Sequence, residues 1–301
     1  MTAINPNSAN QQPAIPHQAT SQPANSQPAH QQSAWKRAIA CWGYPVIDVE
    51  HYMSKEEAAK VMGDSIAHFD FSRQRARINI PKLEERLGID CLEPIDKHEI
   101  GHYVFCPYDL KNCLLMIQGA HNVVKDYTKA KHIENIVADM MLNTRIVHKG
   151  DNSIITVYER MGKTDDKLWT LVMRSCELLW KLPANKLAHN NKEVEEDAQK
   201  IAQVIGNSMY IPAQWADATE QCARIFSKYN IDKDETERRM IDQHSPSDFI
   251  GENVGNSIGT SIAGISKSLS YAILLQLPQA QDFVQKARQL SSTILMLRRN
   301  T

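Results

Sequence analysis

Residues 98–102 read His98-Glu99-Ile100-Gly101-His102, a spacing that on a helix presents two imidazoles to one point. Residues four apart on an α-helix lie about 40° apart around its axis. Zinc binds imidazole nitrogen at about 2.0–2.1 Å, and two ligands one turn apart reach it without distorting the backbone. Glu99 follows the first histidine, where its carboxylate can accept a proton from metal-activated water. The pattern therefore predicts both a metal site and a hydrolytic reaction.

The residues around the pentapeptide favour a helix near 94–105. Pro94 suits a first helical turn, and Pro107 ends the segment. Gly101 costs about 1 kcal/mol of helix propensity relative to Ala, which indicates that another element approaches closely there. The alternative is an ordinary buried helix with two hydrogen-bonded histidines.

Composition separates an N-terminal tail from the rest of the chain. Residues 1–34 contain no Asp, Glu, Lys or Arg and are rich in Gln, Pro, Ala, Ser and Asn, so we expect disorder and no secretory signal. The net charge of −1 belongs to residues 35–301 and gives no electrostatic case for nucleic acid. The sequence contains no run of 18 apolar residues, so we expect no membrane span. The six cysteines form no C-x-x-C pair, and we interpret them as reduced thiols of a cytoplasmic protein.

Helices dominate the predicted secondary structure. Ser54 to Glu57 is a capping box that opens a helix to Met62, residues 65–80 alternate like a hairpin joined at 72–74, and a helix from Pro81 ends at Gly88. Further helices are predicted near 109–124, 132–148, 166–181, 192–206, 212–229 and 278–299. Two segments stay open: 149–165 as strand or helix, and the Gly-rich stretch 251–264 as loop or close-packed helix.

A polar stripe on the predicted helix at 132–148 offers a third metal ligand. Asn135, Asp139 and Asn143 are spaced i, i+4, i+8 among apolar residues. A polar line in apolar surroundings needs buried polar partners, because unpaired polar groups are costly there. The alternative is a stripe that faces solvent.

The two motifs together resemble the zincin-type metallopeptidase domain associated with von Willebrand factor A domains and MoxR-type AAA ATPases. The matching segments are His98 to His102 and Asn135 to Asn143, the latter reading N-I-x-A-D-x-x-x-N. The resemblance covers about residues 50–160, and the hairpin and Pro81 resemble the substrate-flanking strand that zincins place before the active helix. It implies one zinc per chain, held by His98, His102 and an acidic residue of the second helix. It also implies a MoxR-type ATPase or a von Willebrand factor A-domain protein as partner.

The acidic ligand is either Asp139 or Glu134. In gluzincins, a Glu ligand lies four residues before an Asp that supports the site, but that position is Asn135 here, with Glu134 one residue off. If Glu134 bound the metal, Asp139 would lie about 140° around the helix from it. We therefore favour Asp139, with Asn135 and Asn143 as supporting or substrate-contacting groups. Tyr108 stands where a metzincin has its third histidine, which excludes that class.

These observations predict an α+β, predominantly helical protein with a small sheet and a helical C-terminal half. Residues 35–165 would form the zincin-like region and 166–301 a helical region, either as a separate domain or as part of the same one. The favoured function is a zinc-dependent peptidase with Glu99 as general base. Four residues are equal candidates for the donor to the developing oxyanion: Tyr103, Tyr127, Tyr158 and His148. The alternatives are a non-catalytic zincin-like scaffold working with the ATPase, and an esterase or amidase that uses the same site.

Overall fold

Ten α-helices and a three-stranded sheet make up the part of the chain that the computed structural model describes, residues 29–63, 65–71, 73–229 and 231. The expectation of a mainly helical α+β protein with a small sheet is confirmed. The helices are α1 (Ala29–Cys41), α2 (Lys55–Met62), α3 (Ile80–Arg86), α4 (Leu92–Val104), α5 (Leu110–Val124), α6 (Tyr127–His148), α7 (Ser153–Met161), α8 (Lys167–Leu179), α9 (Lys192–Ser208) and α10 (Trp215–Phe226). The strands are β1 (Asp48–Tyr52), β2 (Ala67–Asp70) and β3 (Arg75–Asn79).

The sheet has the order β1-β3-β2. Strands β2 and β3 are antiparallel, with Phe69 opposite Ala76, so the predicted hairpin is confirmed. Gln74 adopts a φ of 50° at the turn, where no glycine is available. Strand β1, which the sequence did not predict, pairs in parallel with β3. The central strand is therefore the last of the three in the sequence.

Local capping explains where the first predicted helices begin. The Ser54 side chain accepts a hydrogen bond from the Glu57 N–H, as the capping box predicts for the start of α2. The Asn79 side chain caps α3, and Pro81 occupies its first turn. Gly88, at a φ of 85°, lies between α3 and the 3₁₀ turn Ile89–Cys91 that leads into α4.

The predicted boundary of the disordered tail lies too far along the sequence, because an ordered helix begins before it. Helix α1 begins at Ala29, so assigning residues 29–34 to the tail was wrong. Gln31 and Ala34 are buried, and α1 packs along α4. Packing on a neighbouring helix stabilises a segment whose composition alone predicts disorder. Residues 1–28 lie outside the described residues.

The other helices end close to the predicted residues, with two differences. Helix α6 begins five residues early because the Asp126 side chain caps it by accepting from the Lys129 N–H. Helix α7 occupies the segment left open at 149–165. The predicted helix at 278–299 and the Gly-rich stretch 251–264 lie outside the described residues.

One hydrophobic core has members from Ala34 to Ile231, so it includes residues of helices before and after position 165. Helix α6 lies near its centre, in contact with α4, α5, α7, α8, α9 and α10. In the described residues, the helices after 166 thus share a core with the motif helix. None of the helices in these ranges combines the length and apolar character needed to cross a bilayer.

Candidate metal centre

Helices α4 and α6 bring three side chains to one point. The Nε2 atoms of His98 and His102 are 3.1 Å apart, and the Asp139 carboxylate lies 3.6 Å and 3.4 Å from them. One ligand atom from each residue falls within 4.8 Å of the others. This is the group that the two sequence motifs indicated, and it has the size and chemistry to hold a metal ion.

The outer nitrogens of both histidines donate hydrogen bonds to carbonyl oxygens. His102 Nδ1 lies 3.0 Å from the backbone oxygen of Cys106, which can only accept. His98 Nδ1 lies 2.9 Å from Asn143 Oδ1, and the Asn143 amide nitrogen donates to the Tyr158 hydroxyl at 2.7 Å. With each Nδ1 protonated, the neutral imidazoles direct their Nε2 lone pairs inward. Two lone pairs and a carboxylate therefore converge, an arrangement that a cation stabilises.

Gly101 allows the two ligand-bearing helices to approach each other. A Cβ at this position would lie 2.0 Å from Leu142 Cδ1 and 2.8 Å from Trp42 Cζ2. Leu142 belongs to α6, one residue before Asn143, so this contact lies beside the candidate centre. The prediction that another element approaches closely at Gly101 is confirmed.

Glu99 is fully buried on α4, next to His98 and outside the three-residue group. A buried carboxylate is costly unless neighbouring groups or a cation stabilise its charge. Its sequence position places it beside the first candidate ligand, as a general base requires. Both histidines are also fully buried, and Asp139 is 7% exposed.

Glu134 lies five residues before Asp139 on α6 and outside the group. Burial raises the pKa of Glu134 to about 8, although the nearby His102 acts to lower it. In the metal-free protein, burial therefore favours the protonated form of Glu134. Of the two acidic candidates, the structure brings Asp139 to the histidines.

The polar stripe on α6 faces the interior of the protein. Asn135, Asp139 and Asn143 are all buried, so the alternative of a solvent-facing stripe was wrong. Asn143 holds His98, whereas Asn135 lies one turn before Asp139 on the same helix. No sequence pattern indicated that the Cys106 carbonyl would hold His102.

The four predicted oxyanion donors have different surroundings. The Tyr158 hydroxyl is buried and bound to Asn143, and His148 is hydrogen-bonded to Tyr210 at the surface. Tyr103 stacks on Phe69 of β2, with ring centroids 5.3 Å apart. The fourth, Tyr127, is the first residue of α6. Tyr103 is thus the donor candidate that lies between the motif helix and the sheet.

The sheet is held against α4 by a buried polar pair, and one of its two edge strands lies beside this helix. His51 Nε2 of β1 lies 3.5 Å from Asp96 Oδ1 of α4, and burial raises the pKa of Asp96 to about 6. Strand β2 is an edge strand in contact with α4. Since Asn79 N–H donates to the Ile66 oxygen, the alternation of an antiparallel ladder turns the backbone groups of Ala67 and Phe69 away from β3. Both residues are fully buried, so this edge is covered in the folded protein.

All six cysteines lie in the described residues, and none is disulfide-bonded.

Comparison of the chain with protein-family models, with curated proteins and with solved structures finds no match to any of the three.

Proposed function

We propose that this protein is a zinc-dependent peptidase of the zincin type. The observation that carries the proposal is the convergence of His98, His102 and Asp139, with both imidazole Nδ1 atoms bound to carbonyl oxygens. Three protein ligands that leave a further position open are typical of catalytic zinc sites, whereas structural sites are closed by four.

The donor set favours zinc among the common metals. Two imidazoles and one carboxylate form a mixed nitrogen and oxygen set, unlike the all-oxygen sites of magnesium and calcium. Within the described residues, the candidate ligand group includes no cysteine sulfur. Bound zinc would lower the pKa of a water molecule towards about 7 and polarise the scissile carbonyl.

Residues of the chain would transfer the proton and hold the metal ligands in place. Glu99 would accept a proton from the attacking water and deliver it to the leaving amine nitrogen as the carbon–nitrogen bond breaks. Asn143 and the Cys106 carbonyl would keep the two imidazoles in the ligand tautomer. The outward backbone groups of Ala67 and Phe69 are fully buried, so an extended peptide would add to the sheet at β2 only after this edge is uncovered.

Burial of the site bears on how a peptide would reach it. Glu99, His98 and His102 are fully buried, so peptide binding requires a movement that exposes them. An ATPase partner of the kind that the resemblance implies would supply such a movement. The same burial favours the second candidate, a zincin-like scaffold that binds partners and cleaves nothing.

Replacement of Glu99 separates the two functions. We expect Glu99→Gln to keep the fold and the zinc, because Glu99 is outside the ligand group, and to lower peptide cleavage by roughly 10²–10⁴-fold. The assay follows cleavage of a peptide library by mass spectrometry, with and without a candidate ATPase. Glu85→Gln, at an exposed glutamate paired with Lys55, is the matched control.

The scaffold has a different signature. If Glu99→Gln cleaves the library as fast as wild type, or if wild type never cleaves it while both proteins rescue a deletion phenotype equally, the peptidase proposal is overturned. Loss of cleavage in Glu99→Gln, with unchanged zinc content and an active Glu85→Gln control, supports it.

A further inference from the structure

Trp42, just after α1, lies against the side of α4 that carries no metal ligand. Its indole Nε1 donates a hydrogen bond to the Lys97 backbone oxygen at 2.7 Å, and the residue is 8% exposed. Its ring stacks with Phe105 at 6.3 Å between centroids and fills the space beside Gly101. These contact points are spaced four residues apart, so Trp42 covers two turns of the motif helix.

The hydrogen bond is made to the peptide group that precedes the first candidate ligand. The Lys97 carbonyl belongs to the peptide bond that joins Lys97 to His98. Inside a helix this oxygen already accepts the N–H four residues later, which is that of Gly101. The indole therefore adds an external contact to the helical turn that starts at the peptide bond just before His98.

Trp42 also contacts the helix that carries Asp139. Lys149 is the C-terminal capping residue of α6, and its Nζ lies 4.4 Å from the centroid of the Trp42 ring. This distance is typical of a cation–π interaction. At Gly101, moreover, the Trp42 ring shares its space with Leu142 of α6. One side chain therefore contacts both ligand-bearing helices.

We propose that Trp42 is a positioning residue for the metal centre, setting the placement of α4 against α6 and thereby the affinity for zinc. The inference rests on the proposed zinc site and adds a residue that touches neither metal nor substrate. Metal sites tolerate ligand displacements of only about 0.2 Å, so a small shift of one helix is enough to weaken binding. Trp42 belongs to the core shared by the helices, so the test uses phenylalanine, which keeps an aromatic ring there and removes the hydrogen bond.

The test compares two tryptophans that make the same kind of bond. Trp215 is 1% exposed, and its Nε1 donates to the Met209 backbone oxygen at 3.0 Å and not to α4. Its ring packs against Phe105 as that of Trp42 does, so the two variants differ in the hydrogen bond to the motif helix. We expect Trp42→Phe to raise the zinc dissociation constant about three- to tenfold, the scale of one buried hydrogen bond, and Trp215→Phe to change it less than about twofold. Zinc affinity is measured by competition with a chromophoric chelator, and the melting temperature is measured without metal.

A second variant covers the case in which Trp42→Phe fails to fold. Lys149 is exposed, so Lys149→Met keeps the core while removing the charge above the ring and the hydrogen bond from Lys149 Nζ to the Cys41 backbone oxygen. We expect it to raise the zinc dissociation constant about two- to threefold. Equal zinc affinity in wild type, Trp42→Phe and Lys149→Met overturns the proposal, and so does an equal loss in Trp215→Phe. A wild-type protein that binds no zinc overturns the proposed function as well, which distinguishes the two failures.

Discussion

Gly101→Ala is the substitution whose outcome the packing of α4 on α6 determines most sharply. The new Cβ would lie 2.0 Å from Leu142 Cδ1 and 2.8 Å from Trp42 Cζ2. Normal carbon–carbon contacts are about 3.5–4.0 Å, so the Leu142 contact is roughly 1.5–2 Å too short. Both neighbours are buried, so either the Leu142 side chain must change rotamer or the helices must move apart.

The expected cost follows from two opposing terms. Alanine gains about 1 kcal/mol over glycine in a helix interior. Overpacking a buried contact typically costs about 1–3 kcal/mol, and here two neighbours must move. We therefore expect a free energy of unfolding lower by about 1–2 kcal/mol and a melting temperature lower by roughly 2–8 °C. Because Leu142 lies between Asp139 and Asn143, the zinc dissociation constant should rise about 10- to 100-fold.

Two other glycines provide matched controls, measured by thermal melting and chelator competition. A Cβ at Gly119 would lie 2.3 Å from the Ala216 backbone oxygen, so Gly119→Ala should destabilise the contact of α5 with α10 without changing zinc affinity. At Gly206 the nearest atom is 3.7 Å away, so Gly206→Ala should be neutral or stabilising. If Gly101→Ala is as stable as Gly206→Ala and binds zinc like wild type, the reasoning about the helix contact is refuted.

Three further predictions concern the residues around the candidate ligands. Asp139→Asn should weaken zinc binding far more than Glu134→Gln, and the reverse order in a chelator competition would reassign the third ligand. Asn143→Ala should weaken zinc binding roughly 10- to 100-fold because His98 loses the acceptor for its Nδ1 proton, and an unchanged affinity would contradict that role. Burial raises the pKa of Glu134 from 4.5 to about 8, so the folded state keeps a proton that the unfolded state releases, and stability falls as pH rises between these values. Glu134→Gln should therefore flatten the decline in melting temperature of the metal-free protein between pH 5 and 8, and an equally steep decline would contradict the assignment.

The candidate ligands could be predicted because their signals are local. His98 and His102 are one turn apart on α4, and Asp139 belongs to a stripe with the same four-residue spacing on α6. Helical periodicity converts such spacing into shared direction. Asn143, which holds His98, belongs to the same stripe, but the groups that support the site from other elements were not predictable in this way. Tyr158 reaches Asn143 from α7, and Trp42 reaches Lys97 from 55 residues away.

The missed elements depend on contacts distant in sequence. Strand β1 reads Asp-Val-Glu-His-Tyr and is mostly half-buried, so its pattern is weak, and its parallel partner β3 begins 27 residues after it. The first residues of α1 share the uncharged composition of the tail before them, yet Gln31 and Ala34 are buried in the folded protein. Tertiary packing decides both cases, and composition does not report it.

The zinc content of the purified protein tests the central claim most directly. Mass spectrometry of the metal should find about one zinc per chain in wild type, because two imidazoles and a carboxylate converge on one point. His98→Ala should lose most of this zinc, since two remaining ligands hold the ion weakly. A wild-type protein without zinc after expression and reconstitution, or a His98→Ala protein with the wild-type content, would contradict the account.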